Sequence, residues 1–472
     1  MAIVPALCLL FFYGLTSTGL IGPDEPRYAS IGREMARSGD WITPRLWGEP
    51  WFEKPPLLYW MTAAGNLAGL GPDLAGRLPV ALLSVAFLFF YYWCLKDEFG
   101  KRAALFATMV LATSAAWVAY SRVGVTDLPM AVLFSAAMLL GLRWLSTGER
   151  RLLPLAAFFL GLAVLAKGLV PLALSLPLFW AGRKRLKDWR HLLPIAIFFV
   201  TAAPWHILCT LRNGPVFLNE FFWKHHFARF SSGVDLHLQP FWYYLPVLVA
   251  GLFPWSPTLF TLIRRGLYSD PGRRFLLLWL VFGLVFFSAS AGKLPGYLLP
   301  LFPALAALAG LALDQMKNAR WVLAASGLTL TLLPVIGKVL PGALADHLSL
   351  AGIAGWDLRF GIGCAALAAG LWWIEKSGRR GAAMAVLCAA SVFGVFYLSV
   401  TVLPEVDRQV TARPLWREVA ADTASVCVDD IHRNWRYGLN YYSVTPLPDC
   451  GKSLWPLRIE QTPGAPPVLI GP

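Results

Sequence analysis

Two short charged stretches stand out in a chain of 472 residues of which 57% are hydrophobic and only 14% charged. One is Asp24-Glu25-Pro26-Arg27-Tyr28 and the other Phe52-Glu53-Lys54-Pro55-Pro56. Ionised groups beside hydrocarbon are costly, so a cluster of them there marks a candidate site. The Asp24 carboxylate can take a proton from a hydroxyl nucleophile or steady positive charge on a sugar ring. The plainer reading of Asp24-Glu25 is helix capping and dipole complementation, worth about 1 kcal/mol. Arg27, a planar fork, and Lys54, a point charge, suit a phosphate or pyrophosphate, and cations beside a leaving anion lower its barrier. Their plainer reading is as snorkelling interfacial cations.

Other residues extend the set. Lys293, in Gly292-Lys293-Leu294-Pro295-Gly296-Tyr297, is either a further phosphate ligand or a helix-end anchor. Glu53 and His226, on different loops, can share a divalent metal; alternatively Glu53 pairs with Lys54 and His226 only donates hydrogen bonds. Asp127 follows Arg122-Val123-Gly124-Val125-Thr126. It either faces the same cavity or pairs with Arg122 across the turn.

What must position these groups is a membrane domain. Apolar runs long enough to cross about 30 Å of hydrocarbon recur at roughly 2–20, 78–95, 103–121, 127–146, 152–166, 168–182, 192–209, 241–263, 275–291, 296–313, 320–337, 358–374 and 381–402. The pair around Lys167 also fits a kinked or re-entrant hairpin. With the N-terminus inside, the cytoplasmic loops are 96–102, 143–151, 183–190, 264–274, 314–320 and 375–380. They hold 20 Lys/Arg against 7 Asp/Glu, nearly all of the chain's net +14. The basic balance is therefore a topology signal and does not point to nucleic acid. Loops 21–77 and 210–240 and the tail 403–472 then lie outside the cytoplasm. The first span has no basic n-region or small-residue cleavage site and is expected to be retained.

In the first loop, Asp24 is expected to N-cap a helix over about 25–38. Tyr28, Ile31 and Met35 would form one apolar stripe and lay that helix on the bilayer. Residues 57–70 suggest a second interfacial helix, and 216–230 a third, with Phe222, His226 and Arg229 on one face. The tail, 403–472, reads as a small extracytoplasmic α/β region with a strand near 425–428. The cysteines show no metal spacing; Cys427 and Cys450, both in the tail, can pair in an oxidising compartment. No phosphate-binding glycine motif is present, so no nucleotide cofactor is expected.

In order along residues 20–310, D-E-P-R-Y, F-E-K-P-P-L-L-Y-W, R-V-G-V-T-D-L-P-M, H-H-F-A-R-F, Q-P-F-W-Y-Y and G-K-L-P-G-Y-L-L-P resemble the bacterial aminoarabinose-transferase and protein-mannosyltransferase superfamily of GT-C glycosyltransferases. The resemblance implies an all-α polytopic enzyme of the bacterial inner membrane with about 13 transmembrane helices, in residues 1–402, and its site on the periplasmic side. It would move a sugar from a polyprenyl phosphate to a lipid, glycan or protein acceptor. The resemblance makes Asp24 the catalytic carboxylate, with Arg27 and Tyr28 in the same cavity. Lys54 and Tyr297 would hold the donor's phosphate. Glu53 and His226 would hold a metal such as Zn or Mg, and Asp127 and Arg229 would complete the pocket. Rival readings are a transporter or flippase of lipid-linked sugars, which tends to carry its polar groups at the bilayer midplane, and a structural envelope subunit with a dead site.

Overall fold

The structure, a computed structural model, describes residues 3–185, 192–228, 238–346, 357–451, 455–462 and 464–471. The chain starts with α1 (Ile3–Leu7) and a π-helical turn at Cys8–Phe12, and then unwinds. Next come α2 (Asp24–Ser38), a hairpin of β1 (Arg45–Leu46) and β2 (Glu49–Pro50), and α3 (Leu57–Leu67). Helices α4 (Arg77–Phe99), α5 (Lys101–Thr113), α6 (Ala115–Tyr120), α7 (Asp127–Thr147) and α8 (Leu152–Lys167) follow. Two short helices, α9 (Val170–Leu174) and α10 (Leu176–Gly182), lead to α11 (Leu192–Leu218), which runs on as a π-helix through Ala228. The remaining apolar helices are α12 (Tyr244–Gly251), α13 (Pro271–Ala289), α14 (Phe302–Gln315), α15 (Arg320–Thr329), α16 (Leu333–Asp346), α17 (Leu358–Lys376) and α18 (Arg380–Thr401).

Among the described residues, eight helical stretches are long and apolar enough to cross a membrane, or nine if the pair Phe241–Gly251 and Ser256–Ile263, bent by 116°, is one span. The four other runs expected from the sequence fall on short or broken helices. The 103–121 run is split at Ser114, whose ψ of 137° interrupts the helix. The 152–166 run is one helix of 16 residues, and 168–182 forms two pieces that meet at Ser175. The first run ends in an irregular segment after the positive φ of Gly14. Hydropathy sees the apolar run but not the backbone break within it.

Burial sorts the helices into a centre and a rim. The best apolar window is 89% buried in α7 and 94% in the stretch Pro295–Gln315, but only 17% in Leu192–Lys224. Large apolar side chains such as Val200, Leu211, Phe260 and Ile263 are exposed, as suits a surface solvated by lipid rather than water. At the centre, α5 and α14 approach through small residues, Ala103, Ala104 and Ala107 against Ala306, Ala307 and Gly310, all buried. Lipid supplies no hydrophobic drive between spans, so close contact of small residues must hold them.

After α18 come α19 (Leu403–Val410), α20 (Arg413–Val419), β3 (Val426–Val428), α21 (Arg433–Ser443), β4 (Leu457–Glu460) and β5 (Val468–Ile470). The sheet order is β3-β4-β5, with β3 and β4 parallel and β4 and β5 antiparallel. Ala412, Leu415 and Val419 pack with Trp435 and Leu439 against Val426, Val428 and Ile459 to form a separate small core. Cys427 and Cys450 are joined by a disulfide.

A Cβ built on Gly310 would lie 2.3 Å from the backbone nitrogen of Ala107. Gly310→Ala is therefore expected to lower stability by about 1–3 kcal/mol, read as a fall in melting temperature of the detergent-solubilised protein.

Candidate functional site

The segment between the first span and α2 has no helix to satisfy its carbonyls, and two buried arginines do so instead. Arg77, at the start of α4, donates from Nη1 to the carbonyls of Leu15 (2.7 Å) and Thr18 (2.8 Å) and from Nη2 to that of Gly19 (2.8 Å). Arg413, at the start of α20, takes the carbonyls of Thr16 (2.8 Å) and Ser17 (2.9 Å). Every carbonyl from 15 to 19 is thereby paired, as a low-dielectric site demands.

Glu25 completes the first arginine. Its oxygens lie 2.6 and 2.7 Å from Nε and Nη2 of Arg77 in a bidentate pair. They also accept from the backbone N–H groups of Ile21 (2.7 Å) and Gly124 (2.8 Å). Both side chains of the pair are 1% exposed. The adjacent acids therefore divide: Glu25 is structural, while Asp24, 46% exposed, is free to face a ligand. Asp24 is not the expected N-cap. The helix begins at Asp24 itself, Pro23 occupies the cap without a side-chain bond, and the Asp24 carboxylate takes Arg27 Nη2 at 2.5 Å.

The apolar stripe of α2 is real, but protein covers it. Tyr28, Ile31 and Met35 are all buried. Tyr28 packs on Tyr59 of α3 with ring centroids 5.8 Å apart, and a Cβ on Gly32 would strike Thr62. Helix α2 thus leans on α3 instead of presenting that face to lipid. The second charged stretch is anchored by its neighbour: Phe52 packs with Leu165 of α8 and Trp205, Cys209 and Phe217 of α11. Trp205 Nε1 also donates to the Ile42 carbonyl at 2.9 Å, tying α11 to the same loop. Glu53 is thus held 3.0 Å from Arg27 Nη2 and 3.2 Å from Lys54 Nζ.

Asp24, Arg27, Glu53 and Lys54 therefore form one chain of alternating charge, lined by Tyr28, Trp51 and Tyr59. Burial disfavours the charge on Arg27, but Glu53 and Asp24 outweigh it and hold the guanidinium protonated. Burial, reinforced by Asp24 and Glu53, pushes the Tyr28 and Tyr59 phenols well up, so both stay neutral.

A second group sits at the ends of α7 and α8. Asp127 pairs with Lys167 at 2.6 Å, and the Lys167 ammonium lies 4.8 Å from the centre of the Tyr297 ring. The expected Arg122–Asp127 pair does not form. Arg122 reaches instead to the carbonyls of Leu10 (2.9 Å) and Tyr13 (2.6 Å), which the early end of the first helix leaves open. Glu25 links the groups, because the loop whose Gly124 it holds leads directly into Asp127. Lys293 is buried, with Nζ donating to the backbone carbonyls of Gln239 (3.0 Å) and Ser290. The third expected loop helix is continuous with α11 through a kink at Gly214, φ 61°. The side chain of His226 and all of Arg229 lie outside the described residues.

Sequence reading missed Lys167 and Arg77. Both stand at the ends of apolar runs, where a lone cation reads as an interfacial anchor. Their carboxylate partners, Asp127 and Glu25, lie 40 and 52 positions away.

Residues 53–208 match the family of dolichyl-phosphate-mannose-protein mannosyltransferases. The undecaprenyl phosphate-alpha-4-amino-4-deoxy-L-arabinose arabinosyl transferase of Pectobacterium atrosepticum is 36% identical over 323 residues, 65% of this chain and 57% of that protein. The enzyme of the same name from Pseudomonas aeruginosa is 34% identical over 333 residues, 66% of this chain and 58% of its own length. The chain thus aligns with somewhat under two thirds of these relatives. The crystal structure of ArnT from Cupriavidus metallidurans bound to undecaprenyl phosphate superposes with a TM-score of 0.73 at 26% identity, covering 94% of this chain and 84% of that one. Arabinosyltransferase EmbB from Mycobacterium smegmatis shares the fold, with a TM-score of 0.53 at 16% identity. The chain is a multi-pass membrane protein with the GT-C fold, related to the aminoarabinose transferases.

Glu25→Gln breaks a buried bidentate pair and is expected to cost about 3–5 kcal/mol. Asp24→Asn, at a half-exposed position, should leave the melting temperature nearly unchanged. Thermal unfolding of the two variants side by side checks the division of labour.

Proposed function

We propose that the chain is an integral-membrane glycosyltransferase that takes a sugar from a polyprenyl phosphate and passes it to an acceptor on the extracytoplasmic face. The observation that carries the reading is the half-exposed Asp24 carboxylate held beside Arg27, Glu53 and Lys54 at the mouth of the membrane domain. The names of the relatives and the undecaprenyl phosphate bound by a protein of the same fold support it.

The chemistry follows from charge. The bond broken joins the anomeric carbon to a phosphate oxygen, and the phosphate leaves as an anion. Arg27 and Lys54 stabilise that anion more than the ground state, which is what accelerates the step. Lys167 with Tyr297, and Lys293, are the further groups proposed to contact the donor. An acceptor hydroxyl needs a base, and Asp24, with Asp127 as second carboxylate, is placed to take its proton. An acceptor phosphate, as on a lipid A-like glycolipid, is already ionised; Asp24 then orients it through Arg27 and balances positive charge developing on the sugar.

The described residues contain no group of three His, Cys, Asp or Glu able to hold a metal, and both Glu53 oxygens face cations. With its oxygens on Arg27 and Lys54, Glu53 would have to release one of these cations to take a divalent ion together with His226. Elemental analysis of purified protein decides the matter for Glu53 with His226: stoichiometric zinc or magnesium lost in Glu53→Ala would assign an ion there.

The sidedness is supported by covalent chemistry. The Cys427–Cys450 disulfide belongs to an oxidising compartment. Its region grips the first loop directly: Tyr442 donates to Asp73 at 2.6 Å and Tyr441 to the Pro72 carbonyl at 2.8 Å. The charged cluster and the disulfide therefore share one side.

Two experiments follow. In proteoliposomes with a labelled polyprenyl phosphate sugar, the wild type should release free polyprenyl phosphate; Asp24→Asn and Lys54→Ala should lower kcat/KM by about 100-fold or more with folding retained. Sugar crossing the bilayer without cleavage would instead identify a flippase. For sidedness, Glu49→Cys, at an exposed position in the hairpin, should react with a membrane-impermeant maleimide in intact spheroplasts; labelling only after lysis would place the site in the cytosol.

A further inference from the structure

The structure assigns a part in the charged cluster to the C-terminal region. Tyr437, on α21, lies with its ring 5.5 Å from the guanidinium carbon of Arg27. Trp51 and Tyr28 approach the same carbon at 5.3 and 5.4 Å. The Tyr437 ring is itself held from another side, stacked on Trp47 at 5.6 Å with 27° between planes. Trp47 and Gly48 form the hairpin tip with φ of 55° and 86°, the left-handed pair that a two-residue turn requires. A tryptophan is an unfavourable choice for that conformation.

Around this stack, hydrogen-bond donors are left over. Arg27 Nε, Trp47 Nε1, Trp51 Nε1 and Tyr59 Oη are buried and have no partner among the described residues. Tyr59 is 0% exposed. A buried donor without an acceptor is destabilising, and four such donors on Arg27 and the aromatic residues near it suit a ligand rich in acceptor oxygens and poor in donors. Asp24 and Glu53 already occupy Arg27 Nη2, so the N–H groups of Nη1 and Nε are those left for such a ligand.

We infer that Tyr437 is a positioning residue: clamped by Trp47, it holds the Arg27 guanidinium so that the N–H groups not taken by Asp24 and Glu53 can meet a phosphate oxygen of the polyprenyl phosphate, and the site is completed only when α21 is docked on the first loop. This rests on the reading given under the proposed function. The ring does the work, not the hydroxyl, because among the described residues no hydrogen bond joins the Tyr437 hydroxyl to the cluster.

Binding of labelled undecaprenyl phosphate to the full-length protein in detergent tests it. Tyr437→Leu should weaken binding by about tenfold, the scale of one desolvated cation–π contact, at an unchanged melting temperature, and Tyr437→Phe should restore it. In an Arg27→Gln background, Tyr437→Leu should add no further loss. A purely structural role would instead lower the melting temperature and persist without Arg27. Should Tyr437→Leu fail to fold, Trp47→Leu removes the opposite ring of the stack and reads the same coupling. Wild-type affinity in the variant that folds overturns the inference alone. A wild-type protein that does not bind undecaprenyl phosphate overturns the proposed function, and the inference with it.

Discussion

Five consecutive carbonyls, from Leu15 to Gly19, have no helical partners at the edge of a membrane domain. The fold depends on how they are satisfied. Arg77 and Arg413 take all five, one from the start of a span and one from beyond the last span. Each arginine then needs a counter-charge: Glu25 for the first, Asp407 and Asp73 for the second. Gly19 has no room for a side chain, since a Cβ there would sit 2.7 Å from that of Arg413. The unwound segment thereby draws α2, α4, the loop before α7 and the C-terminal helices onto one point. Such ion pairs bring little net stability over apolar packing, but losing one partner leaves a buried charge. They act as register pins more than as glue.

What that pinning leaves over is the charged cluster. Once Glu25 is consumed by Arg77, Asp24 is directed away from the core by its position one residue earlier on the same helix. Pro26 helps, because α2 must begin just there and Pro suits its first turn. Arg27, one turn along, sits between Asp24 and Glu53, so its charge is locked in place while each carboxylate is half neutralised. Lys54 extends the alternation outward. Under the proposed function, a polyprenyl phosphate entering there would meet cations whose neighbours already face them, and little rearrangement would be needed as negative charge built on the leaving group.

Much of this was legible in the sequence. Apolar run length and loop charge marked the membrane helices and their ends, because hydrocarbon thickness and loop basicity act on composition alone. The stripe Tyr28, Ile31, Met35 and the motif order carried α2 and the cluster. The rest was hidden for physical reasons. Whether that stripe meets lipid or protein depends on α3, a contact no periodicity encodes. Asp24 and Glu25 look alike as letters, and only the distant Arg77 separates them. The partner of Asp127 was sought at Arg122, five residues away, but the carbonyls opened by the early end of the first helix claim Arg122, and Lys167 at the end of the neighbouring helix takes Asp127. Local pairing fails wherever a broken helix offers unpaired backbone to a nearby cation.

The placement of the C-terminal region follows from the same constraint. A short tail beyond the last span would be free to drift were it not for Arg413, Tyr441 and Tyr442, which bond to residues 16, 17, 72 and 73. Those contacts fix α21 above α2, where Arg33 lies 4.4 Å from the Tyr441 ring and Arg27 faces Tyr437. Two arginines of one helix, two turns apart, thus meet aromatic rings one turn apart on the other. An α-helix advances about 1.5 Å per residue, so the two spacings differ by about 3 Å, which the long arginine side chains take up. That docking brings Tyr437 over the cluster, and Arg413, which organises the entry loop's backbone, is the reason a ring from the far end of the chain can reach the site.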